Sequence, residues 1–237
     1  GFTGASGFVN LAFPGENLAT IAGKVRLYYR DRQPGRIILQ ADPSMLAPAR
    51  DAEPATVYGP LMAQAQGGWL ASLSPRHRPR LMAYWQVWLD GDGFAANRTI
   101  EADGAQTMIG RLSNVSEPDR RAAATEEAAG QSPGSDFSGA RGLQVLDELV
   151  AELAERGAKV CLVTMPMSPE YRTFADRVPE FAAARQAFTV IAQTHGAARA
   201  DLWDAVTDLS LFLNQDHLNR DGARNLAQMM VNACYPI

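Results

Sequence analysis

The sequence predicts an α/β domain, a three-layer α/β/α sandwich around a central parallel sheet. Two continuous apolar runs, Arg36–Gln40 (RIILQ) and Lys159–Thr164 (KVCLVT), have the composition of strands buried on both faces, the parallel kind. Amphipathic helical stretches alternate with these runs, which is the order of a doubly wound sheet. The 237 residues show no internal repeat, and with 46% hydrophobic and 20% charged residues they can supply one sizeable core. The economical reading is a single domain over 1–237 with an insertion.

Residues 8–12 (FVNLA) read as a short strand broken by Pro14-Gly15. From 17 to 30, Leu18, Ile21, Val25, Tyr28 and Tyr29 recur at three- and four-residue spacing, an amphipathic helix. Gln33-Pro34-Gly35 then turns the chain into RIILQ, and Asp42-Pro43 ends that strand. Residues 60–89 read as two helical pieces, interrupted by Gly67-Gly68 and by Ser74-Pro75. Between 90 and 139 the periodicity fades into Gly, Ser, Asn, Asp and short Ala runs. Such a length without structure inside a compact domain predicts an irregular insertion or a functional lid.

A helix returns over 140–156 with Leu143, Leu146, Leu149, Val150 and Leu153 on one stripe, and Gly157 ends it. After KVCLVT and Met165-Pro166 come a helix over 179–194, closed by His195-Gly196, and a short strand over 198–202 (ARADL). A final helix covers 221–233.

Composition excludes several classes of function. With 22 basic against 26 acidic residues the formal charge is -4, which does not supply the basic face that nucleic acid needs. No apolar run reaches the roughly 18 residues of a membrane span. Gly1 opens without an initiator Met or a signal pattern, so the expectation is a truncated or processed start with any leader or anchor upstream. Cys161 lies in an apolar run and Cys234 follows the last helix, and they read as two buried thiols rather than a disulfide. His77, His195 and His217 are scattered without metal-ligand spacing, so neither a metal nor another cofactor is expected. The chain also lacks Gly-x-Gly-x-x-Gly and a P-loop, which argues against a nucleotide-binding domain.

Open α/β sheets collect ligands at the carboxyl ends of their strands. Those ends fall here at 10–15, 40–42, 164–167 and 214–219. The last is the most informative: LFLNQDHLNRDGARNLAQMM places His217 in a polar loop immediately before an amphipathic helix. A histidine so placed can take a proton from a nucleophile, and its structural alternative is a loop or helix-capping residue. His195 reads as a helix C-cap, and His77, in the basic run 76–80, as solvated.

The segment Asp216-His217-Leu218-Asn219-x-x-Gly222-Ala223 resembles the last conserved block of the SGNH/GDSL hydrolase superfamily. The likeness is closest to the branch concerned with envelope-polysaccharide O-acetylation and to D-alanylation proteins of the DltD type. Asn10-Leu11-Ala12-x-Pro14-Gly15 resembles the second block, in which the glycine matching Gly15 offers an N–H to the oxyanion. RIILQ-Ala41-Asp42 falls where the third block has Gly-x-Asn, so Asp42 stands in the place of an amide donor, or else simply forms the turn before Pro43.

The resemblance implies an SGNH-like sheet of flavodoxin-like topology and a serine esterase or O-acyltransferase without cofactor. It also implies an acylated envelope or exopolysaccharide substrate and a periplasmic or other extracytoplasmic location. His217 would be the base. Asn214 occupies the position, three residues ahead, of the usual orienting acid, and Asp216 is the adjacent alternative. Ser6 is the serine nearest the nucleophile's place, but the strand FVNLA follows it where a helix is required. The expectation is therefore that the nucleophile and the first, central strand lie upstream of Gly1. The insertion 90–139 would be the substrate lid. The alternative is a non-catalytic SGNH-like module that binds a glycan or a membrane-bound acyltransferase partner.

Overall fold

In the computed structural model the described residues are 16–52, 98–100 and 106–236. Ser6, Asn10, Gly15, His77, the strand expected over 8–12 and the helical pieces expected over 60–89 all lie outside them.

The chain is a mixed α/β protein. Helix α1 (Leu18–Tyr28) leads into β1 (Arg36–Gln40), a one-turn helix α2 (Pro48–Asp51), and the short strands β2 (Arg98–Ile100) and β3 (Gln106–Met108). Then follow α3 (Glu117–Gly130), α4 (Arg141–Glu155), β4 (Lys159–Thr164), α5 (Pro169–Ala175), α6 (Pro179–Thr194), β5 (Ala198–Asp201) and α7 (Arg220–Cys234). Strands β1, β4 and β5 form a parallel sheet in the order β1-β4-β5, with Ile38 opposite Cys161 and Val163 opposite Ala200. β2 and β3 pair antiparallel in a separate ribbon.

The reason RIILQ and KVCLVT read as continuous apolar runs is visible in β4, whose successive side chains enter different clusters. Val160 and Leu162 join Ile37, Leu39 and the stripes of α1, α4 and α6, among them Leu18, Leu146, Leu149 and Phe188. Cys161 and Val163 join Ala200, Leu226, Met230 and Cys234, the buried stripe of α7. A strand covered on both sides has no solvent face to mark with polar residues. Each fully buried Leu or Val in these clusters stabilises the fold by about 1.5–3 kcal/mol.

The helix ends follow local chemistry. Asn17 caps α1 through a hydrogen bond accepted from the Thr20 amide at 2.8 Å. Asp51 performs the same service for α4 from a distance, accepting the Arg141 and Gly142 amides at 2.9 and 2.5 Å. Gly157, at φ 79°, takes the left-handed conformation that ends α4, a conformation glycine adopts without steric cost.

Two expectations need correction. The stretch 90–139 is not irregular throughout, because residues Glu117–Gly130 form the 14-residue helix α3. Its sequence, EPDRRAAATEEAAG, buries only Ala124 and Ala128, so it carries almost no apolar stripe for a periodicity argument to find. It is held instead by Ala-rich propensity, the Ser116 cap on the Asp119 amide and packing against α5. Second, Cys161 and Cys234 are joined in a disulfide, with Cα atoms 5.5 Å apart across 73 residues of sequence. They meet because α7 lies across the face of β4 that Cys161 occupies. Beside this bond the Tyr235 hydroxyl donates to the carbonyls of Ile37 and Lys159, both at 2.9 Å, tying the end of α7 to two strands.

Candidate active site

The loop 212–219 is built like a small hairpin ahead of α7. Phe212 and Leu218 pair antiparallel, and the Leu213 amide donates to the His217 carbonyl at 2.8 Å. Gln215 points inward and is 1% exposed. Its side chain accepts the Ser168 hydroxyl at 2.5 Å and donates to the Arg120 carbonyl at 3.0 Å, while its carbonyl accepts the Ser168 amide at 2.9 Å. The loop is thereby pinned to the start of α5 and to α3.

Asn219 pins the other end. Its side-chain oxygen accepts the Asp221 and Gly222 amides at 3.1 Å, capping α7, and its Nδ2 donates to the carbonyls of Ser210 and Gly110 at 2.6 and 3.0 Å. A Cβ on Gly222 would stand 2.2 Å from the Leu211 carbonyl oxygen, so only glycine lets α7 start this close to the loop. Gly222→Ala is accordingly expected to destabilise the protein by about 3 kcal/mol. Urea denaturation checks this, and an unchanged midpoint would show that the close approach is not essential.

With the loop pinned on both sides, His217 projects outward. Its Nδ1 lies 2.5 Å from Asp216 Oδ1 and 3.1 Å from Asn214 Oδ1. Both partners are acceptors, so in the neutral ring Nδ1 carries the proton and Nε2 the lone pair. The ring is 67% exposed and the Asp216 side chain 13%. The two candidates for the orienting role thus converge on one nitrogen. Asp216 makes the shorter contact, and it alone brings charge.

The electrostatics follow from this arrangement. The hydrogen bond and charge of Asp216 raise the His217 pKa above its ordinary value, against the effect of burial. Burial opposes ionisation of Asp216, but hydrogen bonds from His217 and Gln131 and the imidazolium charge outweigh it and hold the carboxyl down at about 2. Glu127 on α3 is pushed up to about 7 by burial and by the neighbouring Asp216 charge. Asp42 is 2% exposed at the end of β1. It accepts the Met165 amide at 2.7 Å and a hydrogen bond from Gln40. Burial moves it up to about 6, and the Asp216 charge adds to that against those two hydrogen bonds. Thus Asp42 is both the turn former expected before Pro43 and a buried carboxyl within electrostatic reach of Asp216 and His217.

Sequence reasoning missed Glu127, Gln131 and Tyr171. Gln131 Nε2 donates to Asp216 Oδ2 at 2.8 Å and faces Glu127 Oε1 at 3.4 Å, while the Tyr171 hydroxyl donates to Gln131 Oε1 at 2.9 Å. The available signal was spacing: Ala124, Glu127, Ala128 and Gln131 recur at helical intervals, small residues alternating with polar ones on one face. His195 is the C-cap of α6 as its sequence position suggested, and its Nε2 lies 2.7 Å from Asp147 Oδ1, apart from the His217 loop. Among the described residues no cluster of three or more His, Cys, Asp or Glu could hold a metal ion, and no helix is long and apolar enough to cross a membrane.

Compared with protein-family models, with curated proteins and with solved structures, the chain finds no match in any of the three.

Proposed function

We propose that the protein is a serine esterase or O-acyltransferase of the SGNH type, with His217 as general base, acting on an acylated glycan. The observation that carries this reading is the His217 ring itself: Nδ1 is held by a carboxylate, and the exposed ring stands at the end of a pinned loop, leaving Nε2 as its other basic nitrogen. That is the arrangement a base needs to relieve a serine hydroxyl of its proton and return it to the leaving group. The order β1-β4-β5 and the separate clusters on the two faces of β4 support a three-layer α/β/α sandwich of flavodoxin-like topology. In that topology the remaining strands would lie beyond β1, and Ser6 would be the candidate nucleophile within this sequence. Gly15 would supply an oxyanion N–H and Asn10 would flank it.

Other features fit the reading. The insertion enters the site through α3, whose Glu127 and Gln131 stand against Asp216, in keeping with a wall or lid over the substrate. A cleft of about 550 Å³ between α3 and α5 is lined by Arg120 and Arg121, ion-paired to Glu170 and Glu117 at 2.8 and 2.6 Å, and by Thr125 and Phe174; no residue of the His217 loop lines it, so it carries no part of this reading. The disulfide supports an oxidising compartment outside the cytoplasm, such as the periplasm, where a membrane-bound acyltransferase partner would also be found.

Hydrolysis of p-nitrophenyl acetate by the full-length protein, with and without His217→Ala, tests the proposal. Loss of the base is expected to cost about 10²–10⁴-fold in rate. The base works only unprotonated, so activity should rise with pH through a His217 pKa lying above the ordinary imidazole value. Equal rates for the two proteins would overturn the enzymatic reading. Asp42 favours a second reading, a non-catalytic module binding glycan or partner, because an ionised carboxylate at that position repels an oxyanion instead of donating to it. Glycan binding by a protein without His217-dependent hydrolysis would establish that alternative.

A further inference from the structure

Asp216 and His217 are consecutive residues, and nothing in two adjacent side chains by itself aims a carboxylate at an imidazole. The aim comes from outside the loop. Tyr171 is fully buried, with its ring set edge-on against Phe181 and Trp203 at centroid distances of 6.0 and 5.9 Å. Its hydroxyl position is therefore fixed by packing. That hydroxyl donates to Gln131 Oε1, which settles which way the amide faces: the NH₂ group points at Asp216 Oδ2 and toward Glu127 Oε1. The flipped amide would turn its oxygen to the ionised Asp216 carboxylate, a repulsive arrangement, and would give up the hydrogen bond from the Tyr171 hydroxyl. Gln131 is itself placed by the end of α3, where Ala124 and Ala128 pack with Tyr171 and Ala175.

We infer that Gln131, locked by the Tyr171 hydroxyl, is a positioning residue that aims the Asp216 carboxylate at His217 Nδ1. This rests on the reading of His217 as a base, but the geometry itself is testable without turnover. The groups facing His217 are Asp216 and Asn214 from its own loop, Glu127 from α3 and Asp42 from the end of β1. With Asp216 aimed, neutral His217 carries its proton on Nδ1 and its pKa stays raised. With Asp216 released, the imidazole loses its tautomer preference and its pKa falls toward the ordinary value, although Asp216 remains next to it in the chain.

The experiment is an NMR titration of the imidazole nitrogens in full-length wild type, Gln131→Leu and Tyr171→Phe, alongside ester hydrolysis. Gln131→Leu is expected to lower both the Nδ1–H fraction and the His217 pKa, and to reduce kcat about 10²-fold with KM unchanged. Tyr171→Phe should move each quantity in the same direction by less, because it frees the amide without removing it. It deletes a single oxygen from an otherwise intact ring, so it decides the matter if Gln131→Leu does not fold. A tautomer unchanged in both variants, or a His217 pKa that rises, overturns the inference, since a rise would mean that Gln131 only quenches the Asp216 charge. Tautomer control without any ester hydrolysis would uphold the positioning role and sink the enzymatic reading, whereas His217-dependent hydrolysis indifferent to Gln131 would do the reverse.

Discussion

On the proposed reading of His217 as an esterase base, Asp216→Asn is expected to lower kcat for ester hydrolysis by about 10⁴-fold, the cost of the same exchange at the histidine-orienting aspartate of serine proteases. The physical cause here is specific. Asn214 already offers Nδ1 an uncharged oxygen at 3.1 Å, so the variant would face the ring with two amides and no carboxylate. Amides can hold a tautomer but do not stabilise the imidazolium that forms as the serine gives up its proton. The His217 pKa should fall with the loss of its main partner, moving the rise of residual activity to lower pH. Stability should respond as well. Asp216 is held down at about 2, so its contribution is present above the ordinary carboxylate pKa and is lost progressively as pH falls from there through about 2. In Asp216→Asn the protein should lose that contribution at neutral pH and show correspondingly less additional loss on acidification. A rate within a factor of ten of wild type would show that Asn214 does the orienting.

Removing the disulfide is expected to have the largest effect on stability. The bond closes a loop of 73 residues, for which chain entropy gives a stabilisation of about 4 kcal/mol. The double variant Cys161→Ala with Cys234→Ala should unfold at a markedly lower urea concentration, and wild type under reducing conditions should follow it part of the way. The consequence reaches the site, because Cys234 ends the helix that Asn219 begins, two residues beyond His217. Loosening α7 at its far end removes one support of the pinned loop, so ester hydrolysis should be more heat-sensitive in the variant than in wild type. Equal urea midpoints for variant and wild type would mean that the two sulfurs are not joined in the protein.

Strand β4 was readable because every position after Lys159 is buried, which calls for the near-continuous apolar run VCLV; β1 was readable from Ile37, Ile38 and Leu39, although only Ile37 and Leu39 are buried and Ile38 is half-buried. Helices α4 and α6 were readable from stripes that pay off only against a core. Helix α3 was not, because it packs through alanines and spends its polar positions on the site, so that Glu127 and Gln131 resemble ordinary solvated residues until Asp216 is placed beside them.

What the sequence by itself determined is local. It set the alternation of strand and helix, the glycine at Gly157 that ends α4, the Asn219 cap that starts α7, and the presence of His217 between them. Each of these depends on residues within a few positions of one another. The tertiary structure alone decided the rest: that Cys161 meets Cys234, that Gln215 is the buried anchor of its loop, and that Asp216 is gripped by Gln131, 85 residues earlier in the chain. The reason is that hydrogen bonds and disulfides need ångström-level approach, and no spacing in a sequence specifies the distance between segments that only a packed sheet brings together.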